Sequence, residues 1–275
     1  MNLPFHIAKR YLFAKKSQNI INVVSMISVI GIAVSTMAMV IVLSGFNGIE
    51  KIVSDMYNSF DPDLKVTLEE GKTFQTQNID LDRIKQLEGV RFASLVIEET
   101  IILQNEDKFE TCKLKGVDLP YFDSTYLDTL LVEGLSDLEY EGVNYCIPGA
   151  VLQSRLGFTS DPRYQNQLTI NGMLRDKKIS MTSQPFNQKK TPVGGVFMTG
   201  IYANDAKYVF VSLGFAEKLL EYNREATGID VFTKPISGRE MERLQTKIKE
   251  ILGDKFKLEN REEQHALIFS ATKSE

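Results

Sequence analysis

The residues with chemical potential are few in this 275-residue chain, and their spacing assembles no reaction centre. Gly71-Lys72-Thr73 has the form of the tail of a phosphate-cradling loop, in which backbone N–H groups and a lysine hold phosphate oxygens. That loop needs a glycine five residues earlier, where Val66 sits in a strand-like run. Ser270-Ala271-Thr272-Lys273 places a lysine one helical turn after a serine, but no S-D-N or K-T-G follows. His6 and His265 lie at opposite ends and make no metal-ligating pair, so neither is assigned chemistry. Cys112 and Cys146 form no C-x-x-C. In an oxidising compartment they are candidates for a disulfide; within apolar strand patterns they are candidates for buried free thiols. Acids are scattered, and nothing selects a catalytic pair. The chain is therefore read as a non-enzyme with no catalytic, cofactor or metal residues of its own.

One polar stretch stands apart, Ser183–Pro192, SQPFNQKKTP, expected as a loop between two strands. Gln184, Pro185, Phe186, Lys189, Lys190 and Pro192 make it a candidate partner-docking loop. Two prolines restrict the backbone and present an aromatic ring beside a positive pair. A solvated hairpin tip has the same composition and stands as the alternative.

The element that organises the chain is the apolar run 20–46 inside an uncharged stretch from Ser17 to Ile49. A hydrocarbon core of about 30 Å takes about 20 apolar residues in a helix. In lipid a lone segment must pair its backbone internally, which predicts one transmembrane helix. A cleaved signal peptide is the rival reading, with Ala33-Val34-Ser35 imitating a cleavage site, but the run continues past it to Phe46. Residues 1–20 carry Lys9, Arg10, Lys15 and Lys16 and no acid; since the whole chain is −4, residues 21–275 carry −8. Positive flanks stay in the cytoplasm, so the N-terminus is expected inside and the rest outside. Residues 1–19 read as an amphipathic, cationic segment for the headgroup layer of membrane lipid. Ser28, Gly31, Ser35 and Ala38 line one face of the helix with small residues, a surface for another membrane helix.

Beyond Phe46 the composition is that of a folded domain, with 25% charged and 9% aromatic residues in the chain as a whole. Its negative balance and lack of a basic stripe exclude nucleic acid as a partner. Asn47–Phe60 is expected to prolong the membrane helix. Leu64–Leu68 alternates as a strand, and Ile79–Leu87 reads as a helix capped by Asp80. Arg91–Leu103 and Lys108–Val117 form a hairpin about Asn105-Glu106-Asp107. Gly228–Thr233, Gly238–Leu252 with Ser237 as cap, and Lys255–Leu258 repeat a strand–helix–strand order. Between them 167–171, 178–181, 195–202 and 207–211 are expected strands. The fold class is α+β: one transmembrane helix, then an outer domain over 47–262. That domain is divided into one subdomain of 60–142 with 223–262 and an insert of 143–222. Residues 263–275 are expected as a helix leading to a further membrane span.

Several motifs in this order resemble a known family: Lys9-Arg10-Tyr11-Leu12; Ser25-x-x-Ser28-Val29-x-Gly31-Ile32-Ala33; Val42 through Glu50; Gly195 through Tyr202 with Asp205 and Tyr208–Val211; and Arg261–Gln264. The chain resembles the lipoprotein-releasing ABC transporter permeases, within the macrolide-exporter and FtsX-like permease superfamily. The resemblance implies a bacterial inner-membrane protein with a periplasmic domain. ATP would be bound by a separate cytoplasmic ATPase subunit, whose closure the permease transmits outward. A second permease copy or paralogue, and a periplasmic lipoprotein carrier or lipoprotein cargo, are the other implied partners; Ser183–Pro192 falls where such a carrier would be captured. Members of the family have four membrane helices, whereas Glu275 falls where the second begins, which implies a piece of a longer protein or a truncated one. An FtsX-like single-pass scaffold that regulates a partner without transport is the alternative.

Overall fold

The computed structural model describes residues 19–125, 127–160, 166–174 and 186–264, together with Leu3, His6, Ile7 and Arg10. The remainder of the N-terminal amphipathic segment, Gln184, Pro185, the expected strand 178–181, and residues 265–275 lie outside the described residues. The chain divides into two compact units, 1–55 and 56–275.

Most of α1 (Asn19–Phe60) lies in the first unit, and within it Val23–Ile49 is apolar enough to cross a membrane. Those 27 residues rise about 40 Å at 1.5 Å each, more than the hydrocarbon thickness requires. The Val, Ile and Met side chains of Val23–Ile49 are exposed and need an apolar solvent around them. The helix also continues through Asn47–Phe60, as the sequence predicts.

The second unit is α+β. Nine strands form one sheet: β1 (Leu64–Leu68), β2 (Val90–Asn105), β3 (Lys108–Val117), β4 (Ile147–Pro148), β5 (Gln167–Met173), β6 (Phe186–Pro192), β7 (Tyr208–Ser212), β8 (Gly228–Thr233) and β9 (Phe256–Asn260). Their order is β9-β1-β8-β2-β3-β7-β4, with β5 also on β2 and β6 beyond β5. Only the β7–β3 pairing is parallel; the other pairings in this sheet are antiparallel.

The sixteen-residue β2 is the spine. Along one edge its first half pairs with β8 (Val90 to Val96) and its second with β5 (Ile101 to Gln104); β3 runs along the other edge. Strands of the expected insert thus join the same sheet as the flanking segments. Three apolar clusters cover the sheet: one around Ile84, Val231 and Ile248, one around Leu114, Leu168 and Leu219, and an aromatic one around Phe60, Phe122, Phe210 and Phe232.

The helices are short: α2 (Leu81–Lys85), α3 (Tyr121–Thr125), α4 (Ala150–Leu156), α5 (Tyr202–Asp205), α6 (Leu213–Leu220), α7 (Gly238–Leu252) and α8 (Arg261–Gln264). Asp80 caps α2 by accepting the Arg83 N–H at 3.0 Å, and Glu240 on α7 accepts the Ser237 N–H at 2.8 Å. Helix α6 lies so close to β3 that a Cβ on Gly116 would come 2.5 Å from the Ala216 Cβ, so this strand position needs glycine. The expected strand 195–202 stops at Phe197. Asp205 Oδ1 accepts from both the Thr199 N–H (2.7 Å) and the Thr199 Oγ (2.8 Å), and Gly200 takes φ +78°, which turns the chain into α5.

Candidate partner-docking edge and its braced sheet

The residues expected as a docking loop are placed otherwise. Phe186–Pro192 is a strand, β6, in register with β5 from Phe186↔Met173 to Pro192↔Gln167. The alternation explains it: Thr191 is buried, whereas Phe186, Gln188 and Lys190 face outward. The sequence FNQKKTP has weak strand propensity, so the pairing is imposed by β5, a tertiary partner the local pattern does not reveal.

Among the described residues this strand lies at an outer edge of the sheet, with β5 its one ladder partner. At one end Phe186 lies directly opposite Met173, and both are exposed, Met173 to 61%. Lys189 and Lys190 follow. At the other end Pro192 lines a groove of about 950 Å³ with Glu133, Leu135, Asp137, Tyr140 and Tyr145. Leu135 and Tyr140 are largely exposed. The Glu133 carboxylate is fixed by Gln153 Nε2 and Ser160 Oγ, each at 2.9 Å. An apolar tip, a basic strand and an aromatic, acidic groove thus succeed one another on one edge. Such a face has the anchors and polar rim of a protein interface.

Behind this edge the sheet carries a cluster the sequence reading missed. Lys115 Nζ lies 2.7 Å from Asp230 Oδ2 and 3.6 Å from Glu98 Oε1. Tyr121 donates its hydroxyl to Asp230 Oδ2 at 2.5 Å, and its ring lies under the Lys115 ammonium, 5.4 Å from centroid to Nζ. Lys65 Nζ meets Glu98 Oε2 at 2.8 Å, with Lys113 at 3.9 Å. Asp230 is fully buried, and its Oδ1 has no hydrogen-bond partner among the described residues. The group joins β1, β2, β3, β8 and α3.

Electrostatics in the cluster follow from desolvation against pairing. Burial pushes the Glu98 carboxyl up, but Lys65, Lys115 and Lys113 together override it and hold it at about 2. Burial opposes the Lys115 charge, and Asp230 prevails, holding the ammonium well above its ordinary value. Burial and then Asp230 push the Tyr121 phenol up. The available sequence signal was charge at inward strand positions, Asp230 in GIDVFT and Lys115 in KLKGV, between apolar neighbours.

Cys112 and Cys146 are free, buried thiols in one apolar cluster; burial pushes Cys112 up to about 12 and Cys146 higher still, which makes both poor nucleophiles. Among the described residues no three of His, Cys, Asp and Glu could hold a metal ion. On α1, Ser28, Gly31, Ser35 and Ala38 are all exposed. Ser28 Oγ bonds back to the Val24 carbonyl at 2.9 Å, and a Cβ on Gly31 would meet nothing within 4 Å.

A transmembrane helix followed by a braced α+β domain defines a membrane-anchored domain. The comparison with known proteins narrows this. The chain belongs to the MacB-like periplasmic core domain family, whose description matches residues 25–251. It is 23% identical over 250 residues to the lipoprotein-releasing system transmembrane protein LolE of Haemophilus influenzae, covering 88% of this chain and 58% of that protein. It is likewise 23% identical over 231 residues to the corresponding LolC of Neisseria meningitidis serogroup B, covering 83% of this chain and 54% of that one. The chain thus spans just over half the length of these curated relatives. Among solved structures, the periplasmic region of MacB from Actinobacillus actinomycetemcomitans superposes with a TM-score of 0.51 at 13% identity, covering 80% of this chain and 95% of that one. That likeness shows the fold.

Proposed function

We propose that this chain is the anchoring helix and periplasmic domain of an ABC transporter permease that releases lipoproteins from a bacterial inner membrane. The observation that carries the reading is a family match running from inside the membrane helix through α7, residues 25–251, with lipoprotein-releasing proteins among the relatives. The N-terminus is cytoplasmic, on the basic excess of residues 1–20. ATP is bound by a separate cytoplasmic ATPase subunit, and the permease performs no covalent chemistry. The stripe Ser28, Gly31, Ser35 and Ala38 packs against a second permease helix, where small residues let backbones approach. The edge of Phe186, Lys189, Lys190 and Pro192, with Gln184 and Pro185 before it, docks the periplasmic lipoprotein carrier. Support for this is the exposed Phe186–Met173 pair on a strand whose ladder partner among the described residues is β5.

The test is reconstitution of the full-length permease with its ATPase in proteoliposomes holding a lipoprotein. ATP-dependent appearance of lipoprotein on the added carrier is the expected result. Carrier loading that proceeds equally without ATP would overturn the reading and leave a passive scaffold. Gly31→Leu with Ser35→Leu is expected to abolish co-purification of the two permease subunits; intact assembly would remove the packing role.

A further inference from the structure

The outer domain is entered and left at one corner. Helix α1 ends at Phe60, β1 begins at Leu64, and its first residue pairs with Asn260, the last residue of β9. Arg261, the next residue, reaches back across the corner. Its Nε and Nη2 donate to the Asp61 carbonyl at 3.3 and 3.2 Å, and Nη2 lies 3.2 Å from Asp63 Oδ1. Gln264 Nε2 donates to the Pro62 carbonyl at 3.3 Å and to that of Glu259 at 3.1 Å. Asp63 Oδ2 accepts the Thr233 N–H at 2.7 Å, which ties the corner to β8. Asn260 and Glu263 cap α8 reciprocally, the Asn260 N–H to Glu263 Oε2 at 2.8 Å and the Glu263 N–H to Asn260 Oδ1 at 2.9 Å. Phe60 closes the corner from within. Its ring lies 5.2 Å from Tyr208, 5.7 Å from Phe197 and 5.9 Å from Phe210, and the residue is 2% exposed.

We infer that Phe60 and Arg261 make this corner a locked joint, in which Arg261 is a positioning residue that fastens the entering chain to the departing one. A few residues between a long helix and a sheet are where a hinge ordinarily absorbs φ/ψ changes. Here those residues, Asp61-Pro62-Asp63, have two carbonyls and one carboxylate engaged, and proline fixes one φ. The bidentate reach of a guanidinium suits this task, since one planar fork spans a backbone carbonyl and a carboxylate. Displacement of the end of α1 therefore enters two adjacent, paired strands at once, β1 and β9. The functional consequence rests on the transporter reading above; the joint itself does not.

Two measurements separate these. Hydrogen exchange read by mass spectrometry on the chain in lipid nanodiscs compares wild type, Arg261→Ala and Arg261→Lys. For Arg261→Ala, exchange at least tenfold faster is expected in peptides covering 61–65, 233 and 259–264, with peptides covering 101–114 unchanged. Arg261→Lys is expected to recover only part of the protection, because an ammonium cannot fork. Unchanged protection in Arg261→Ala overturns the joint. In the reconstituted full-length complex, Arg261→Ala is expected to keep its ATPase rate while lipoprotein released per ATP falls at least tenfold. Loss of protection with unchanged release per ATP would overturn its role in transmission. Absence of ATP-dependent release in wild type would sink the transporter reading and leave the exchange result to judge the joint alone.

Discussion

Around Lys115 the sheet is closed: an ammonium, two carboxylates and a phenol meet in a group shared by five elements, with Lys115 3% and Asp230 0% exposed. At Lys190, on β6, the same charge type points outward from a strand whose one ladder partner among the described residues is β5, with Lys189 half-buried on the other face. Lysine is thus used in two physical roles within one sheet. Inside, it neutralises buried acids and fixes which strands sit side by side, because any other register would strand an unpaired charge. Outside, it costs little to place, keeps an open edge from pairing indiscriminately, and can steer an acidic partner. The comparison teaches that bracing is uneven across the domain: β1, β2, β3 and β8 are tied by buried charges, and the outward residues of β6 and its neighbouring groove are exposed.

The comparison can be broken most strongly at Lys115. Lys115→Ala leaves Asp230 and Glu98 buried with an incomplete set of partners and is expected to destabilise the domain by about 3–5 kcal/mol, read by chemical denaturation. Replacing the pair together, Lys115→Met with Asp230→Leu, should recover at least half of that loss, because no unpaired charge remains. Equal losses in both variants would mean that the cluster matters for shape and not for charge.

Acid provides the next effect. The Glu98 carboxyl is held at about 2 in the folded state against an ordinary 4.5. A depressed carboxylate contributes stability that is fully present above the unfolded value and is lost as pH falls through the folded one. The stability of the domain is therefore expected to drop between about pH 4.5 and pH 2 by up to about 3 kcal/mol, and Glu98→Gln should flatten that part of the profile. A profile unchanged by Glu98→Gln would remove Glu98 as its source.

The smallest change in stability belongs to the edge. Phe186→Ala with Lys189→Glu and Lys190→Glu should alter the unfolding free energy by no more than about 0.5 kcal/mol, as surface substitutions do. A loss of several kcal/mol would show the edge to be part of the core, and the division drawn here would fail.

The sequence made parts of this legible because the physics there is local. The charge-free run announced α1, the alternation of Leu64–Leu68 announced β1, and Glu106-Asp107 between two apolar strands announced the hairpin, with Glu106 at φ +51° in the turn. What stayed hidden depends on partners distant in sequence. Phe186–Pro192 reads as a loop because its strand character comes from β5. The ion cluster unites Lys65 with Asp230, 165 positions apart; Lys65 looks like an ordinary solvent-facing charge, and the only local sign at Asp230 is its apolar neighbours. Arg261 looks like one more charge in a polar tail until its side chain is seen on Asp61 and Asp63. Phe186 to Pro192 are neighbours on one strand, not on the loop that the sequence predicts.

The central claim, that β6 is the recognition edge of a rigid domain, is tested most directly by titrating the chain in nanodiscs with the purified lipoprotein carrier of the same cell. Wild type is compared with the Phe186→Ala, Lys189→Glu, Lys190→Glu variant. The account predicts at least about tenfold weaker binding for the variant, about 1.4 kcal/mol, at unchanged thermal stability. Equal affinity of the two proteins for the carrier would contradict it.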